Sequence, residues 1–303
     1  MPESPGLPWV YHNFLALPPE QSALEVSRLV LIPVPYDSTT SFRSGARDGP
    51  ESIISASYGL EDYDPELELD VSQLGIHTTA ALEPHMGGPG PMVDRVREAV
   101  ASFLGPGKPE PEKTVGLLGG EHSITAGSVQ AHLQAYPSLS VLYLDAHADM
   151  RNEYMDTPWG HASAARRVHE MCPIALAGVR SLSQEEHQFI RSSHVPTWFC
   201  PGPGDNDIPV DDLLAGLSDT VYISVDLDVL DPSLMPAVGT PEPGGMGWGQ
   251  LVSLLRKVGE SRRIVGFDVC ELAPNEGPTA CSYTAAKLVY KLCQYACALP
   301  RHG

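Results

Sequence analysis

The sequence predicts an α/β fold, with a mostly parallel central sheet and helices on both of its faces. Short apolar runs alternate with longer helical segments along most of the chain, the pattern of strand–helix–strand units. Chemically loaded residues follow several of the runs directly, and open α/β sheets gather ligands at the carboxyl ends of their strands. The length, 303 residues, suits one large domain, and no internal repeat or linker divides it. The expectation is a single domain over residues 1–303, with residues 1–25 as an N-terminal extension.

The elements follow in order. Arg28 to Val34 reads as a buried strand. A Gly-, Pro- and Ser-rich loop runs to Pro50, where proline at an early position starts a helix. The acidic stretch Glu61 to Asp70 reads as a solvated loop. A turn at 87–91 precedes an amphipathic helix, Met92 to Leu104, and Gly105 to Lys113 is a Pro-rich connector. Thr114 to Leu118 is a strand ending in Gly-Gly-Glu-His-Ser, followed by a helix from Ile124 to Tyr136. Ser140 to Leu144 is the central strand. Ile174 to Val179 and Thr197 to Phe199 are further strands, separated by a helix from Glu185 to Ser193. The β-branched run Thr220 to Val225 is a strand. A helix from Trp248 to Val258, a strand from Arg263 to Val269 and a long helix from Ala280 to Cys297 close the chain.

Composition narrows the function. The formal net charge of −19 argues against a nucleic-acid partner, whose binders need a basic face. It is compatible with a small cationic substrate, which an acidic surface attracts. No apolar run reaches 18 residues, so no membrane span is expected. Met1 to Glu20 lacks the basic region of a secretory leader. The six cysteines are scattered without C-x-x-C spacing, which fits a reduced cytoplasm.

The central strand leads into Asp145, His147 and Asp149, at every second position. In extended backbone such side chains point the same way. His122 follows the strand before it; Asp226 and Asp228, again two apart, follow a later one. All six converge on one sheet edge. Four carboxylates and two imidazoles are too many for one tetrahedral zinc. They suit two divalent ions about 3.5–4 Å apart, which would make a shared water acidic enough to act as a nucleophile near neutral pH. An oxygen-rich shell with two histidines and no thiolate favours manganese over zinc, with iron, cobalt and nickel as the alternatives.

Gly119 to Ser123, Asp145 to Asp149 and Ser224 to Pro232 resemble the three signature motifs of the ureohydrolase (arginase/agmatinase) family. Phe42 to Arg47 is similar to that family's early R-P-G-A-R loop, and Gly266 to Pro274 to its late D-x-x-E-x-x-P segment. The likeness runs from Pro33 to the last helix. It implies a three-layer α/β/α sandwich and two Mn2+ per subunit. One ion would be held by His122, Asp145, Asp149 and Asp226, the other by His147, Asp145, Asp226 and Asp228. It implies attack of a bridging hydroxide on a guanidinium carbon, with the tetrahedral intermediate collapsing to urea and an amine. Glu271 matches the acid that pairs with the guanidinium, a task suited to a carboxylate fork. His161 matches the proton-shuttling histidine. His161, Glu271 and Asp149 are thus the expected catalytic groups. The resemblance also implies a homo-oligomer, trimer or hexamer. Three departures stand out: Glu121 where many arginases have Asp, Ser44 in place of the usual proline, and His77 where relatives often carry Asp.

Arginases commonly place Asn two residues after the central motif, where it helps bind the substrate's α-carboxylate; here Arg151 stands there. Arg151 to Asp156 looks more like the agmatinase branch. It adds Glu153 and Asp156 near the expected mouth, which suits an amine tail. Expected substrate-binding residues are Glu271, Arg151, Glu153 and His161. The leading substrate is agmatine, giving putrescine. N1-aminopropylagmatine, giving spermidine, comes second, and guanidinobutyrate third, since Arg151 offers a partner for its carboxylate. A one-zinc deacetylase of related fold would lack the His122 and Asp149 pair, and a non-enzymatic homologue would have lost ligands.

Overall fold

The computed structural model describes residues 9–105, 113–200 and 208–299. Most of the connector expected over 105–113 lies outside the described residues. Eight strands form one sheet: β1 (Leu29–Val34), β2 (Ile76–Thr78), β3 (Thr114–Gly119), β4 (Ser140–Leu144), β5 (Ile174–Val179), β6 (Thr197–Phe199), β7 (Thr220–Asp226) and β8 (Arg263–Cys270). Their order is β2-β1-β3-β8-β7-β4-β5-β6, and every pair is parallel. The described α-helices of six residues or more are α1 (Gly49–Ser57), α2 (Pro89–Ala101), α3 (Thr125–Ala135), α4 (Ala164–His169), α5 (Gln184–Ser192), α6 (Val210–Ala215), α7 (Trp248–Ser261) and α8 (Ala280–Cys297).

The inner strands are buried along almost their whole length, as expected of parallel strands covered on both faces. Alternate side chains serve opposite layers. Leu142 and Leu144 pack with α7 and α8, whereas Val141 and Tyr143 pack with α3 and α4. The sheet is therefore the middle of an α/β/α sandwich. Because all eight strands run one way, the six residues at or just beyond the ends of β3, β4 and β7 emerge on one edge.

Four features depart from the sequence reading. The acidic stretch is not simply solvated. Tyr63–Asp64 and Leu69–Asp70 pair as a two-stranded hairpin, and Asp64 is buried. Lys291 of α8 explains this: its ammonium lies 2.6 Å from Asp64 and also bonds Glu66, so a buried carboxylate has its counter-charge. Edge strand β2 has three residues, too few for a periodic signal. Helices α4 and α6 have six residues each and were equally hard to read. Within the N-terminal extension, Phe14, Leu15 and Leu17 are buried in the core. No helix among the described residues is long and apolar enough to cross a membrane.

Candidate metal centre

The site begins where β3 ends. Gly120 passes so close to the first loop that a Cβ there would lie 2.0 Å from the Tyr36 carbonyl oxygen. The N–H groups of Gly120 and Glu121 donate to the Val34 and Tyr36 carbonyls at 2.9 and 2.7 Å. The loop after β1 is thereby laced to the turn that carries His122, at the start of a short 3-10 helix.

After β4 the chain stays close to β5's exit: Ala146 and His147 lie alongside Arg180 and Ser181. Extended alternation does not carry through to Asp149, whose φ is +50°. Its carboxylate accepts the Tyr143 hydroxyl at 2.8 Å and its carbonyl the Arg166 N–H at 2.9 Å, two contacts that hold a backbone region rarely used outside glycine. Nor does strand alternation align Asp226 with Asp228. Asp226 ends β7, and its carboxylate accepts the Asp228 N–H at 2.8 Å, a local side-chain turn. The sequence pattern was right about convergence, but two of its positions reach the site through turns.

The carboxylates of Asp145, Asp149, Asp226 and Asp228 are 1–6 % exposed, so all four are desolvated. His122 Nδ1 lies 3.1 Å from Asp145, 3.3 Å from Asp226 and 3.8 Å from Asp149. His147 Nδ1 lies 2.8 Å from Asp228 and 3.6 Å from Asp145. Two groups of possible ligand atoms result: His122 with Asp145 and Asp226, and His147 with Asp145 and Asp228. Asp145 belongs to both. A third group, His122 with Asp268 and Cys270, is committed elsewhere. Asp268 accepts hydroxyls from Thr125, Tyr222 and Ser224 at 2.7–2.9 Å, and burial raises the Cys270 thiol well above its ordinary range.

The electrostatics show what the cluster lacks. Burial raises Asp149, Asp226 and Asp228, and carboxylate neighbours raise them further. Burial opposes the charge on His122, yet Asp145 and Asp226 lift it well above its usual value. Asp145 and Asp228 lift His147 up to about 12, again against burial. Asp145 itself is also buried, but the two imidazoles pull it down. Four buried carboxylates face two imidazoles, and this surplus of negative charge is what bound cations would relieve. Two donor groups sharing one carboxylate, rich in oxygen, fit a pair of divalent ions.

Sequence reasoning missed the groups behind His122. Its Nε2 meets the Ser224 hydroxyl at 2.8 Å, which donates onward to Asp268 at 2.7 Å. That chain takes the Nε2 hydrogen and turns Nδ1 toward the carboxylates, where a bound cation would use its lone pair. The signal was present: Tyr143 and Ser224 each stand two before a candidate ligand, polar groups inside apolar strands. Arg180 was also missed. Its guanidinium bonds the carbonyls of Asp228 and Glu242 at 2.6 and 2.8 Å, tying two rim loops together.

A cavity of about 130 Å³ opens on this edge, and its lining includes His122, His147, His161, Arg151, Tyr154 and Glu271. Glu271 follows β8 with φ +69°. Burial, then the charges of Asp226 and Glu121, raise its carboxyl well above the usual range, a state that an arriving cation would reverse. Burial and the charge of His147 hold His161 down at about 4; the ring is neutral at pH 7. Arg151 lines the cavity, but Glu153 and Asp156 do not; both are exposed. The reason is a tight turn. Tyr154 and Thr157 exchange backbone hydrogen bonds at 2.9 and 3.1 Å, and positive φ at Met155 and Asp156 carries the loop away from the cavity. The acid beside Arg151 is instead the buried Glu186, 3.8 Å away.

Residues 27–294 match the profile of the Arginase family. The chain belongs to this family. It is 37 % identical over 276 residues to an N(1)-aminopropylagmatine ureohydrolase of Synechocystis, covering 88 % of each chain. It is 40 % identical over 268 residues to a protein of the same name from Thermus thermophilus, covering 88 % of this chain and 89 % of the other. Among solved structures, the agmatine ureohydrolase of Thermoplasma volcanium superposes with a TM-score of 0.80 at 30 % identity, over 91 % and 92 % of the two chains. Arginase-family enzymes depend on a binuclear metal centre, and the paired donor groups of this member fit that requirement.

Proposed function

We propose that this arginase-family enzyme hydrolyses the guanidino group of a small amine-tailed substrate, with agmatine, giving putrescine and urea, as the leading candidate. The observation that carries the reading is the pair of buried donor groups sharing Asp145, set in one cavity with Glu271 and a neutral His161. His122, Asp145, Asp149 and Asp226 would hold one ion; His147, Asp145, Asp226 and Asp228 would hold the other. Manganese suits this shell best. When bound, the ions supply Lewis acidity and lower the pKa of water.

The protein's own groups do the rest. Glu271 Oε1 is engaged by the His122 N–H at 2.7 Å, which orients the carboxylate and leaves Oε2 for a guanidinium N–H. His161, neutral at rest, takes a proton at the ring nitrogen facing the cavity and passes it to the departing amine. The balance is simple: water and a guanidinium give urea and an ammonium, with no oxidant or reductant. Asp149 accepts the Tyr143 hydroxyl and completes the acidic wall.

A second reading, N1-aminopropylagmatine giving spermidine, is favoured by the higher identity to the two relatives of that name. A urea-release screen with manganese decides between them, run over agmatine, N1-aminopropylagmatine, arginine, guanidinobutyrate and guanidinopropionate. No urea from any of them overturns the proposal. We read residues 1–303 as one domain. The family resemblance supports a trimer or hexamer, and six free thiols support a cytoplasmic location.

A further inference from the structure

We propose that Glu121, acting through the Thr39 hydroxyl, sets the tautomer of His161 and thereby decides which ring nitrogen meets the substrate. The inference rests on the reading of His161 as the proton carrier and adds two residues that do not touch substrate.

A hydroxyl has one hydrogen to give and two lone pairs to receive. Around Thr39 Oγ1 stand Glu121 Oε1 at 3.0 Å, the His161 backbone N–H at 3.0 Å and His161 Nδ1 at 3.1 Å. The allocation follows from Glu121. Its Oε2 receives the backbone N–H groups of Ser38 and Thr39 at 2.6 and 2.7 Å, and its Oε1 receives the Ser123 hydroxyl at 2.6 Å. The two backbone N–H groups can only donate, and with the two hydroxyls at Oε1 they set four hydrogen-bond partners around one carboxyl group, the arrangement a carboxylate takes. Thr39 therefore spends its hydrogen on Glu121. Both of its lone pairs then face His161, one toward the backbone N–H and one toward Nδ1.

The ring must carry its hydrogen on Nδ1. Nε2 is left with a lone pair, beside the Ser41 hydroxyl at 3.3 Å on the cavity wall. In this tautomer Nε2 accepts a proton and can later return it to a leaving amine. The opposite tautomer would present an N–H to the cavity and have nothing to accept with. Gly160 keeps the hydroxyl within reach: a Cβ there would lie 3.2 Å from Thr39 Oγ1. The longer acid at 121, where many arginases have Asp, spans from the β3 exit to this loop. Glu121 and Thr39 are thus positioning residues.

The test compares Thr39→Val and Thr39→Ser in the manganese-loaded enzyme. Valine keeps the shape and removes the hydroxyl; serine keeps the hydroxyl. We expect Thr39→Val to lower kcat by about 10- to 100-fold, with KM within about threefold and metal content unchanged. Thr39→Ser should restore kcat to within about threefold of the parent. Full kcat in Thr39→Val, or no recovery in Thr39→Ser, overturns the proposal. Nitrogen NMR of histidine-labelled enzyme loaded with a diamagnetic divalent ion gives a second readout. His161 should show a protonated Nδ1 and a bare Nε2, and the reverse assignment overturns it. His161→Ala separates the two layers: if it turns over at the parent rate, the reading of His161 itself fails. If it is slow while Thr39→Val is not, only the tautomer inference fails.

Discussion

The backbone N–H of His122 donates to Glu271 Oε1 at 2.7 Å, while the Glu271 N–H returns to the Gly120 carbonyl at 2.8 Å. The residue that follows β8 is thereby locked to the turn that follows β3, its neighbour in the sheet. Glu271 accepts a left-handed backbone for this, a strain that surrounding contacts must hold. Its carboxylate stands at a fixed distance from a candidate metal ligand.

Glu271→Gln keeps an oxygen for the His122 N–H and removes the negative charge. The guanidinium then loses its charge-assisted partner, worth about 2–5 kcal/mol when buried. The expected outcome is a fall in kcat/KM of at least about 30-fold, with metal content unchanged. Steady-state urea release with parallel metal analysis checks it. An unchanged kcat/KM would place the guanidinium elsewhere.

The shared position of Asp145 separates it from Asp228. Asp145→Asn weakens both donor groups, so both ions should be lost on dialysis. Asp228→Asn touches only the group around His147, so roughly one ion per chain should remain. Elemental analysis after dialysis reads both. Two ions retained in Asp145→Asn would show that the carboxylate is not shared.

Lys291 and Asp64 are 227 positions apart, with an Nζ–Oδ2 distance of 2.6 Å. Removing the cation leaves a buried carboxylate uncompensated, so Lys291→Met should destabilise the fold by about 3–5 kcal/mol, measured by denaturant unfolding at pH 7. Burial would raise Asp64, but the Lys291 hydrogen bond and charge overcome it and the net direction is down. A carboxyl lowered on folding adds stability above its unfolded pKa, about 3.9, and loses it as pH falls through the folded value. The parent should therefore lose this contribution on acidification below about pH 4, and the variant should not. Equal acid sensitivity in both would show that the pair contributes nothing.

How much of this was legible depends on the distance over which each signal acts. The bounds of β4, β5 and α8 coincide with the sequence reading, because composition changes abruptly at both ends of each. The convergence of His122, Asp145, His147, Asp149, Asp226 and Asp228 was legible because parallel strands share one exit edge. The left-handed backbone at Asp149 and Glu271 was not. It is imposed by Tyr143, Arg166, Gly120 and His122, partners supplied by the tertiary fold. The role of the acidic hairpin was hidden for the same reason, since its counter-charge lies on the last helix. Glu153 misled because proximity in sequence to Arg151 stood in for proximity in space.

Arg43 and Arg151, the two arginines among the described residues that line the cavity, each already have an acid beside them. Arg151 has its Cζ 4.9 Å over the Tyr154 ring and its Nε 3.8 Å from Glu186. Arg43 lies 3.4 Å from Glu276. A substrate carboxylate would have to draw an arginine from its acid and from its aromatic face, Tyr154 for Arg151 and Phe42 for Arg43. An amine tail asks for neither and joins a rim whose arginines are balanced by acids. The expected outcome is that agmatine or N1-aminopropylagmatine exceeds arginine in kcat/KM by at least roughly 100-fold, about 2.7 kcal/mol of differential binding. If Glu186 is what withholds Arg151, then Glu186→Gln should free it and raise the use of guanidinobutyrate relative to agmatine by roughly tenfold, as expected when an element acting against the wrong ligand is removed. Steady-state kinetics of parent and variant on the three substrates measures both ratios. Arginine matching the amines in the parent would make Arg151 a carboxylate binder. A ratio unmoved by Glu186→Gln would put the discrimination at some other part of the rim.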